Sequence, residues 1–245
     1  PISQRFTGTP GDADVGNLTV RVTGGDAGGQ SAFDDFVIAV ADVSNPANIF
    51  VDTGDADTGA VSEDGTASVF GTLSITDPDA GEDQFQPANM VGTYGTLTLL
   101  SDGNWSYALD NASAAVQALT GSDTPTDVFT VLSQDGTASH DITVTVTGQN
   151  DTPTVSGVLT AAATEGQASV DIDLLTGASD VDAGQAATLS LSNVGTLPAG
   201  ATLVGETLTF DPTDAAYDYL LSGETLVVSL TYDVTDTDGE TTSQQ

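Results

Sequence analysis

The sequence contains no cysteine, no lysine and only two basic residues, Arg5 and Arg21. Without cysteine the chain has no disulfides, and thiolate zinc sites and thiol redox centres are excluded. The 36 acidic residues give a formal charge of −34. Such a surface repels nucleic acid and anionic membranes, and it repels itself unless cations bind. Clustered carboxylates suit Ca²⁺, so we expect calcium ions as the cofactor and partner.

Long hydrophobic runs are also missing, since no stretch approaches the roughly 18 apolar residues of a membrane-spanning helix. We therefore expect no direct membrane insertion. The sequence begins at Pro1 without the basic and apolar regions of a signal peptide, so we expect any export signal to lie outside these 245 residues.

Short segments of alternating apolar and polar residues recur between Asp-Gly, Gly-Gly and Pro-containing turns, which indicates an all-β fold. One helical turn is predicted at Ala112–Leu119, with Val116 and Leu119 on one face. The predicted strands include Leu18–Val22, Phe36–Val40, Leu73–Ile75, Thr96–Leu99, Ile142–Val146 and Val227–Tyr232.

The acidic residues repeat at the spacing of a sandwich domain, which is about 100 residues. Glu63 returns as Glu165, the Asp77/Asp79 pair as Asp180/Asp182, Asp135-Gly136 as Asp238-Gly239, and Asn45 as Asn150. We therefore predict tandem Ig-like or cadherin-like β-sandwiches joined end to end by short linkers. The first unit (residues 1–47) is the C-terminal part of one domain, the middle unit (48–151) is complete, and the third unit (152–245) lacks its last strand.

The middle unit resembles a VCBS repeat. The resemblance rests on the continuous segment Gly92–Asn111, which contains Asn104-Trp-Ser-Tyr107, and on Val116–Leu119, Asp127–Val131, Asp135-Gly136 and Thr145–Asp151. The first unit is similar to the second half of a dystroglycan-type cadherin-like domain through Phe6–Pro10, Asp14–Gly16 and Thr23–Gly29. The third unit resembles a divergent relative that keeps Leu208–Asp211 and Asp236–Gly239.

These resemblances imply an extracellular extender segment of a giant RTX-type bacterial adhesin, which projects a distal binding domain for attachment to surfaces, to other cells or within biofilms. In a seven-stranded sandwich the acids collect at the two ends of each unit. We predict calcium ligands at the junction of the middle and third units from Glu63, Asp64, Asn150, Asp151, Asp180, Asp182, Asp236 and Asp238. At the earlier junction we predict Asp42, Asn45, Asp77, Asp79 and Asp135. Bound calcium would lock neighbouring units in line.

Other interpretations remain open at this point. Asp-Gly and Asp-Pro pairs are ordinary turn formers, and Asp102, Asp123 and Asp127 are interpreted as solvated turn residues. We expect no enzyme, because His140 is the only histidine and no nucleophile motif is present. A carbohydrate- or protein-binding module is the main alternative, with Tyr94, Trp105 and Tyr107 as a stacking platform if they are exposed. A subunit of a self-assembling extracellular filament is the third possibility.

Overall fold

The computed structural model describes residues 8–11 and 14–245. Residues 1–7 and 12–13, which include Arg5 and part of the Phe6–Pro10 motif, lie outside the described residues. β-Strands joined by turns and extended segments make up the fold, and a short 3-10 helix spans Gln185–Ala187. The prediction of an all-β fold is confirmed. Within the described ranges, no helix has the length and hydrophobicity to cross a membrane.

The described part of the first unit is an antiparallel hairpin. β1 (Gly16–Gly25) pairs with β2 (Ser31–Val40) along the whole length of both strands. Leu18, Phe33 and Val37 are all more than half exposed. The apolar side chains that alternation would place in a core are therefore open to solvent in this hairpin.

The middle unit has nine strands, and alternation along them places one side of each sheet on a common core. A four-stranded antiparallel sheet has the order β5-β9-β8-β7, a three-stranded sheet has the order β10-β11-β4, and β3 pairs with β6. The strands are β3 (Asn48–Phe50), β4 (Thr58–Ser62), β5 (Ser68–Thr72), β6 (Ser74–Thr76), β7 (Ala88–Val91), β8 (Gly95–Leu99), β9 (Asn104–Leu109), β10 (Thr126–Leu132) and β11 (Ser139–Thr147).

The core of the middle unit is aromatic at its centre. Phe85 and Tyr107 are fully buried, and the Tyr107 and Phe129 ring centroids lie 5.9 Å apart. The predicted turn at Ala112–Leu119 closes one end of this core. Its backbone N–H groups donate three residues back, from Val116 to Ser113 O and from Leu119 to Val116 O, and both apolar side chains are buried.

A parallel strand pair decides where the acids of the middle unit lie. β4 runs parallel to β11, so both strands end at the same edge of the sheet. The N–H of Glu63, directly after β4, donates to Thr147 O at 2.9 Å. Glu63 is thereby held beside the linker that leaves β11, at the end of the unit where the sequence analysis places it.

The third unit has its own core, formed around Leu174, Leu208, Leu230, Tyr232 and Val234. Its sheets have the orders β13-β17-β16 and β15-β18-β19, and β12 pairs with β14. The strands are β12 (Thr154–Val155), β13 (Val170–Asp173), β14 (Ala178–Ser179), β15 (Ser190–Ser192), β16 (Ala201–Val204), β17 (Thr207–Phe210), β18 (Tyr232–Thr235) and β19 (Thr241–Gln244).

The predicted strand at Val227–Tyr232 is wrong except at its last residue, where β18 begins. Val227 is 90% exposed. Residues 224–230 and 158–165 instead border an open cavity of about 1100 Å³. Alternation favours an extended backbone, but a strand also needs a neighbour that accepts its hydrogen bonds, and these residues have no strand beside them.

Candidate metal sites

Two clusters of predominantly acidic residues lie at opposite ends of the middle unit. The junction cluster, between the middle and third units, contains Glu63, Asn150, Asp151, Asp180, Asp182, Asp236 and Asp238. The loop cluster, at the end facing the first unit, contains Asp77, Asp79, Glu82 and Asp135. All but Glu82 are predicted site residues.

Glu63 is the most deeply buried acid of the junction cluster, with no exposed surface. Its Oε1 accepts a hydrogen bond from Gln117 Nε2 at 2.9 Å, and its Oε2 accepts one from the N–H of Gln149 at 3.0 Å. Burial raises the pKa of Glu63, and the charges of Asp151, Asp64 and Asp182 raise it further. Without a cation, the ionised form of this carboxyl is therefore destabilised.

Asp182 brings the third unit against the linker. Its carboxylate is 2% exposed, and its Oδ2 accepts the N–H of Asp151 at 2.9 Å. Its own N–H donates to Asp180 Oδ1 at 2.9 Å, which is an ordinary Asx turn. The turn therefore accounts for Asp180 Oδ1 and the linker for Asp182 Oδ2, which leaves Asp180 Oδ2 and Asp182 Oδ1 to be explained.

Three buried oxygen atoms of the junction cluster have no hydrogen-bond partner: Asp151 Oδ2, Asp180 Oδ2 and Asp182 Oδ1. An unsatisfied buried carboxylate oxygen costs free energy, and adjacent negative charges increase that cost. Burial is the main cause of the raised pKa of both Asp151 and Asp182, and neighbouring carboxylates add to it. A hard cation with oxygen ligands would remove both penalties, so the ligand types gathered here suit Ca²⁺.

Asn150 and Asp236 tie the other side of the junction cluster together. Asn150 Nδ2 donates to Asp236 Oδ2 at 2.8 Å. Asp236 Oδ1 accepts the backbone N–H groups of Asp238, Gly239 and Glu240 at 2.6–2.9 Å. Asp236 therefore organises the turn before β19, whereas Asp238 is exposed.

Asp64 is the outlying member of the predicted set. It is exposed and adopts a positive φ of 50° in the turn after β4. Its N–H donates to Asn111 Oδ1, and its Oδ1 accepts from Asn111 Nδ2. Its charge still acts on Glu63 and Asp151, but its carboxylate is engaged by Asn111.

In the loop cluster, one carboxylate oxygen each from Asp77, Glu82 and Asp135 lies within 4.8 Å of the other two. Asp77 Oδ2 and Glu82 Oε2 are buried and have no hydrogen-bond partner. Burial raises the pKa of Glu82, with help from four aspartates that include Asp42. By contrast, hydrogen bonds from Ser133 and Thr137 lower the pKa of Asp135 to about 2.

Glu82 is the site residue that sequence reasoning missed, although the repeat contains the signal for it. The segment Asp77-Pro-Asp-Ala-Gly-Glu82 aligns with Asp180-Val-Asp-Ala-Gly-Gln185 at the spacing that relates the two aspartate pairs. Extending the aligned pairs by three residues would have identified both Glu82 and Gln185.

The linker alignment needs a correction of one residue. Asn45 N donates to Asp79 Oδ2 at 2.6 Å, as Asp151 N does to Asp182. Asn45 therefore corresponds to Asp151 and not to Asn150. Asn45 Nδ2 also donates to Asp79 Oδ1 at 3.2 Å. Asp42 is exposed, and its Oδ1 accepts the N–H of Val43.

One other expectation is wrong. Asp127 is 4% exposed and not a solvated turn residue, because its carboxylate accepts hydrogen bonds from Thr93 N, Tyr94 N and the Tyr107 hydroxyl.

The alternative of an aromatic stacking platform depends on exposed rings. Trp105 is 2% exposed, and its Nε1 donates to Ala56 O at 2.8 Å. Trp105 and Tyr107 thus lie in the core, and the exposure that a stacking platform requires is absent at both residues.

The comparison with family models gives a match in the middle unit. Residues 51–148 match the model of the bacterial cadherin-like domain. The comparison with curated proteins gives no match.

Three solved structures illustrate the similarity to cadherin extracellular domains. The protocadherin gamma B2 domains 1–5 are 16% identical, with a TM-score of 0.45 over 95% of this chain and 45% of that one. The protocadherin gamma B4 extracellular domain is 15% identical, with a TM-score of 0.44 over 96% and 38%. The mouse clustered PcdhgC3 EC1-3 structure is 18% identical, with a TM-score of 0.41 over 93% and 74%. The chain thus spans less than half the length of the first two.

Proposed function

We propose that this chain is a calcium-rigidified extender segment of a secreted bacterial surface adhesin, with no catalytic role. The observation that carries the proposal is the group of unpartnered buried oxygens on Asp151, Asp180 and Asp182, beside the buried Glu63. These residues come from the middle unit, the linker and the third unit. A cation bound among them would join two units that otherwise meet through mutually repelling carboxylates.

The match to a bacterial cadherin-like domain supports an extracellular adhesion-type protein. The VCBS resemblance of the middle unit supports the finer assignment to a tandem-repeat adhesin. Extracellular modules bind Ca²⁺ at roughly 0.1–1 mM, so the sites would fill outside the cell and remain empty in the cytosol. Calcium would then make the linker rigid after export.

The test compares the unmutated protein with Asp180→Asn/Asp182→Asn by thermal unfolding and small-angle scattering, each in about 5 mM Ca²⁺ and after chelation. At these affinities each ion stabilises the folded state by about 1–2 kcal/mol. We expect chelation to lower Tm and to shorten the maximum dimension of the particle. The double variant should lose most of both responses.

Asp171→Asn/Asp173→Asn is the matched control. It removes the same charge from an Asp-x-Asp pair of the third unit, on the exposed face of β13. It should keep the full calcium response. An unmutated protein whose melting and dimensions ignore calcium would rule out the extender function.

A self-assembling filament subunit is the second candidate, and the open cavity of the third unit favours it. In the middle unit, β11 covers the core beside β4, whereas residues 158–165 of the third unit have no strand beside them. The exposed strand β2 is rich in apolar and β-branched residues, which such a site would accept from a second copy. Light scattering over a range of protein concentrations tests this candidate. Association that the substitution Val37→Asp abolishes would support the filament. A molecular mass that stays that of the monomer at all concentrations would exclude it.

A further inference from the structure

The buried Gln185 occupies the place in the third unit that Glu82 has in the middle unit. Gln185 is 3% exposed, and all of its hydrogen-bonding groups are engaged. Its Nε2 donates to Asn150 Oδ1 at 2.6 Å and to Asp238 Oδ2 at 2.9 Å. Its Oε1 accepts from the N–H and hydroxyl of Thr237 at 3.2 and 3.1 Å. The amide thus places a hydrogen-bond donor among oxygen atoms that would otherwise face one another.

Glu82 cannot do the same for its neighbours, because an ionised carboxylate only accepts hydrogen bonds. It faces Asp77 and Asp135, the counterparts of Asp180 and Asp238, and its Oε2 is unpartnered. Where the third unit has a neutral amide donor, the middle unit therefore has an anion. The surrounding oxygens of the middle unit need a positive partner that the chain does not supply.

A second exchange between the units compensates for this difference in charge. Position 133 is Ser133 in the middle unit, and its counterpart in the third unit is Asp236. Ser133 Oγ donates to Asp135 Oδ1 at 2.6 Å, whereas Asp236 accepts from Asn150 and from the turn backbone. Each unit thus has four carboxylates at this end. Three are at equivalent positions, and the fourth is Glu82 in the middle unit but Asp236 in the third unit.

We propose that residues 82 and 185 decide where the entering end of each unit holds its cation. With Glu82, the middle unit binds a cation among its own loops, between Asp77 and Asp135. With Gln185, the amide takes the place of that cation, and calcium binds only on the other side of Asp182, toward Asp151 and Glu63. This inference rests on the proposed calcium function and specifies its stoichiometry.

The test is calorimetric titration with Ca²⁺ alone, on the unmutated protein and on reciprocal variants. Because affinity follows the number of charged ligands, Glu82→Gln should lose one bound ion per molecule or bind it at least about tenfold more weakly. Gln185→Glu should gain one ion. Gln185→Glu/Asp236→Ser reproduces the middle-unit arrangement and should also gain one, which keeps the test valid if the single variant does not fold.

The controls are Glu206→Gln and Gln167→Glu, which make the same charge changes at exposed positions of the third unit. They should leave the number of bound ions unchanged. Asp182→Asn separates the two proposals, because it should weaken binding at the junction in every background. If Asp182→Asn weakens binding but the variants at 82 and 185 leave the stoichiometry unchanged, this inference is overturned and the extender function survives. If no protein binds calcium, both fall.

Discussion

The role of an aspartate in this chain depends on the atoms around its carboxylate. Asp102 is exposed, and hydrogen bonds from Asn104 lower its pKa, as expected for a turn. Asp127 is buried and accepts two backbone N–H groups and a phenol. Asp182 is buried with one oxygen unpartnered. All three residues are aspartates, and only their surroundings separate a turn residue, a core anchor and a proposed metal ligand.

The Tyr107–Asp127 hydrogen bond gives a residue-scale prediction. The Tyr107 hydroxyl lies 2.8 Å from Asp127 Oδ2 inside the core. Hydrogen bonds to charged groups contribute about 1.5–3 kcal/mol, so Tyr107→Phe should lower the free energy of unfolding of the middle unit by that amount. The fluorescence of Trp105, the only tryptophan, reports this transition in urea.

Tyr94→Phe is the control for this measurement. It removes a hydroxyl from a partly buried tyrosine of the same unit whose bond to Asp127 comes from the backbone N–H. The urea midpoint should shift much less than for Tyr107→Phe. Equal shifts for the two variants would show that general loss of a hydroxyl, and not the buried charge, determines the effect.

At the scale of elements, β5 and β9 pack so that a glycine makes room for an aromatic ring. Gly71 is paired with Trp105 across the two strands. A Cβ atom at Gly71 would lie 2.4 Å from Trp105 Cζ2. The ring cannot move outward without loss of the bond from its Nε1 to Ala56 O. The absence of a side chain at Gly71 thus sets the position of Trp105.

Gly71→Ala should therefore destabilise the middle unit by about 1–3 kcal/mol, the usual cost of overpacking a core. Urea unfolding measures the loss, and a change in Trp105 emission in the folded state should accompany it. Gly121→Ala is the control, because its Cβ would lie 3.6 Å from Asn150 N, in ordinary van der Waals contact. A stability for Gly71→Ala equal to that of the control would contradict the predicted clash.

Strand prediction succeeded where a partner was available and failed where it was not. Ile142, Val144 and Val146 alternate along β11 and are all fully buried. The segment Val227–Leu230 is also apolar and β-branched but has no adjacent strand. Local pattern describes what a segment can do, whereas pairing depends on residues far away in sequence.

For the whole molecule, the clustered acids predict an unusual pH dependence when calcium is absent. Burial raises the pKa of Glu63, Asp151 and Asp182 above their values in the unfolded chain. The folded state therefore binds protons more readily, and the destabilisation present at neutral pH is relieved as pH falls through the raised pKa values. In calcium-free buffer, Tm should therefore increase as the pH is lowered from about 7 to about 5. This range lies above the ordinary carboxyl pKa values.

In millimolar calcium the rise should disappear, because the ions require ionised ligands and protons compete with them. Asp182→Asn removes one titrating group and should reduce the rise in calcium-free buffer. Carboxyls with a lowered pKa, such as Asp135 and Asp233, lose their contribution only below about pH 4 and do not affect this range. A calcium-free Tm that falls steadily from pH 7 would contradict the prediction.

The sequence by itself determined the all-β class, the spacing of the repeat and the types of residue at the candidate sites, because alternation, turn residues and charge are local properties. The expectation that acids collect at the ends of each unit also placed Glu63 beside the linker. Only the tertiary structure decided which oxygens lack partners, that Asp127 and Trp105 belong to the core, that Asn45 corresponds to Asp151, and that Glu82 joins Asp77 and Asp135. These features depend on contacts between residues distant in the chain, and local patterns do not specify such contacts.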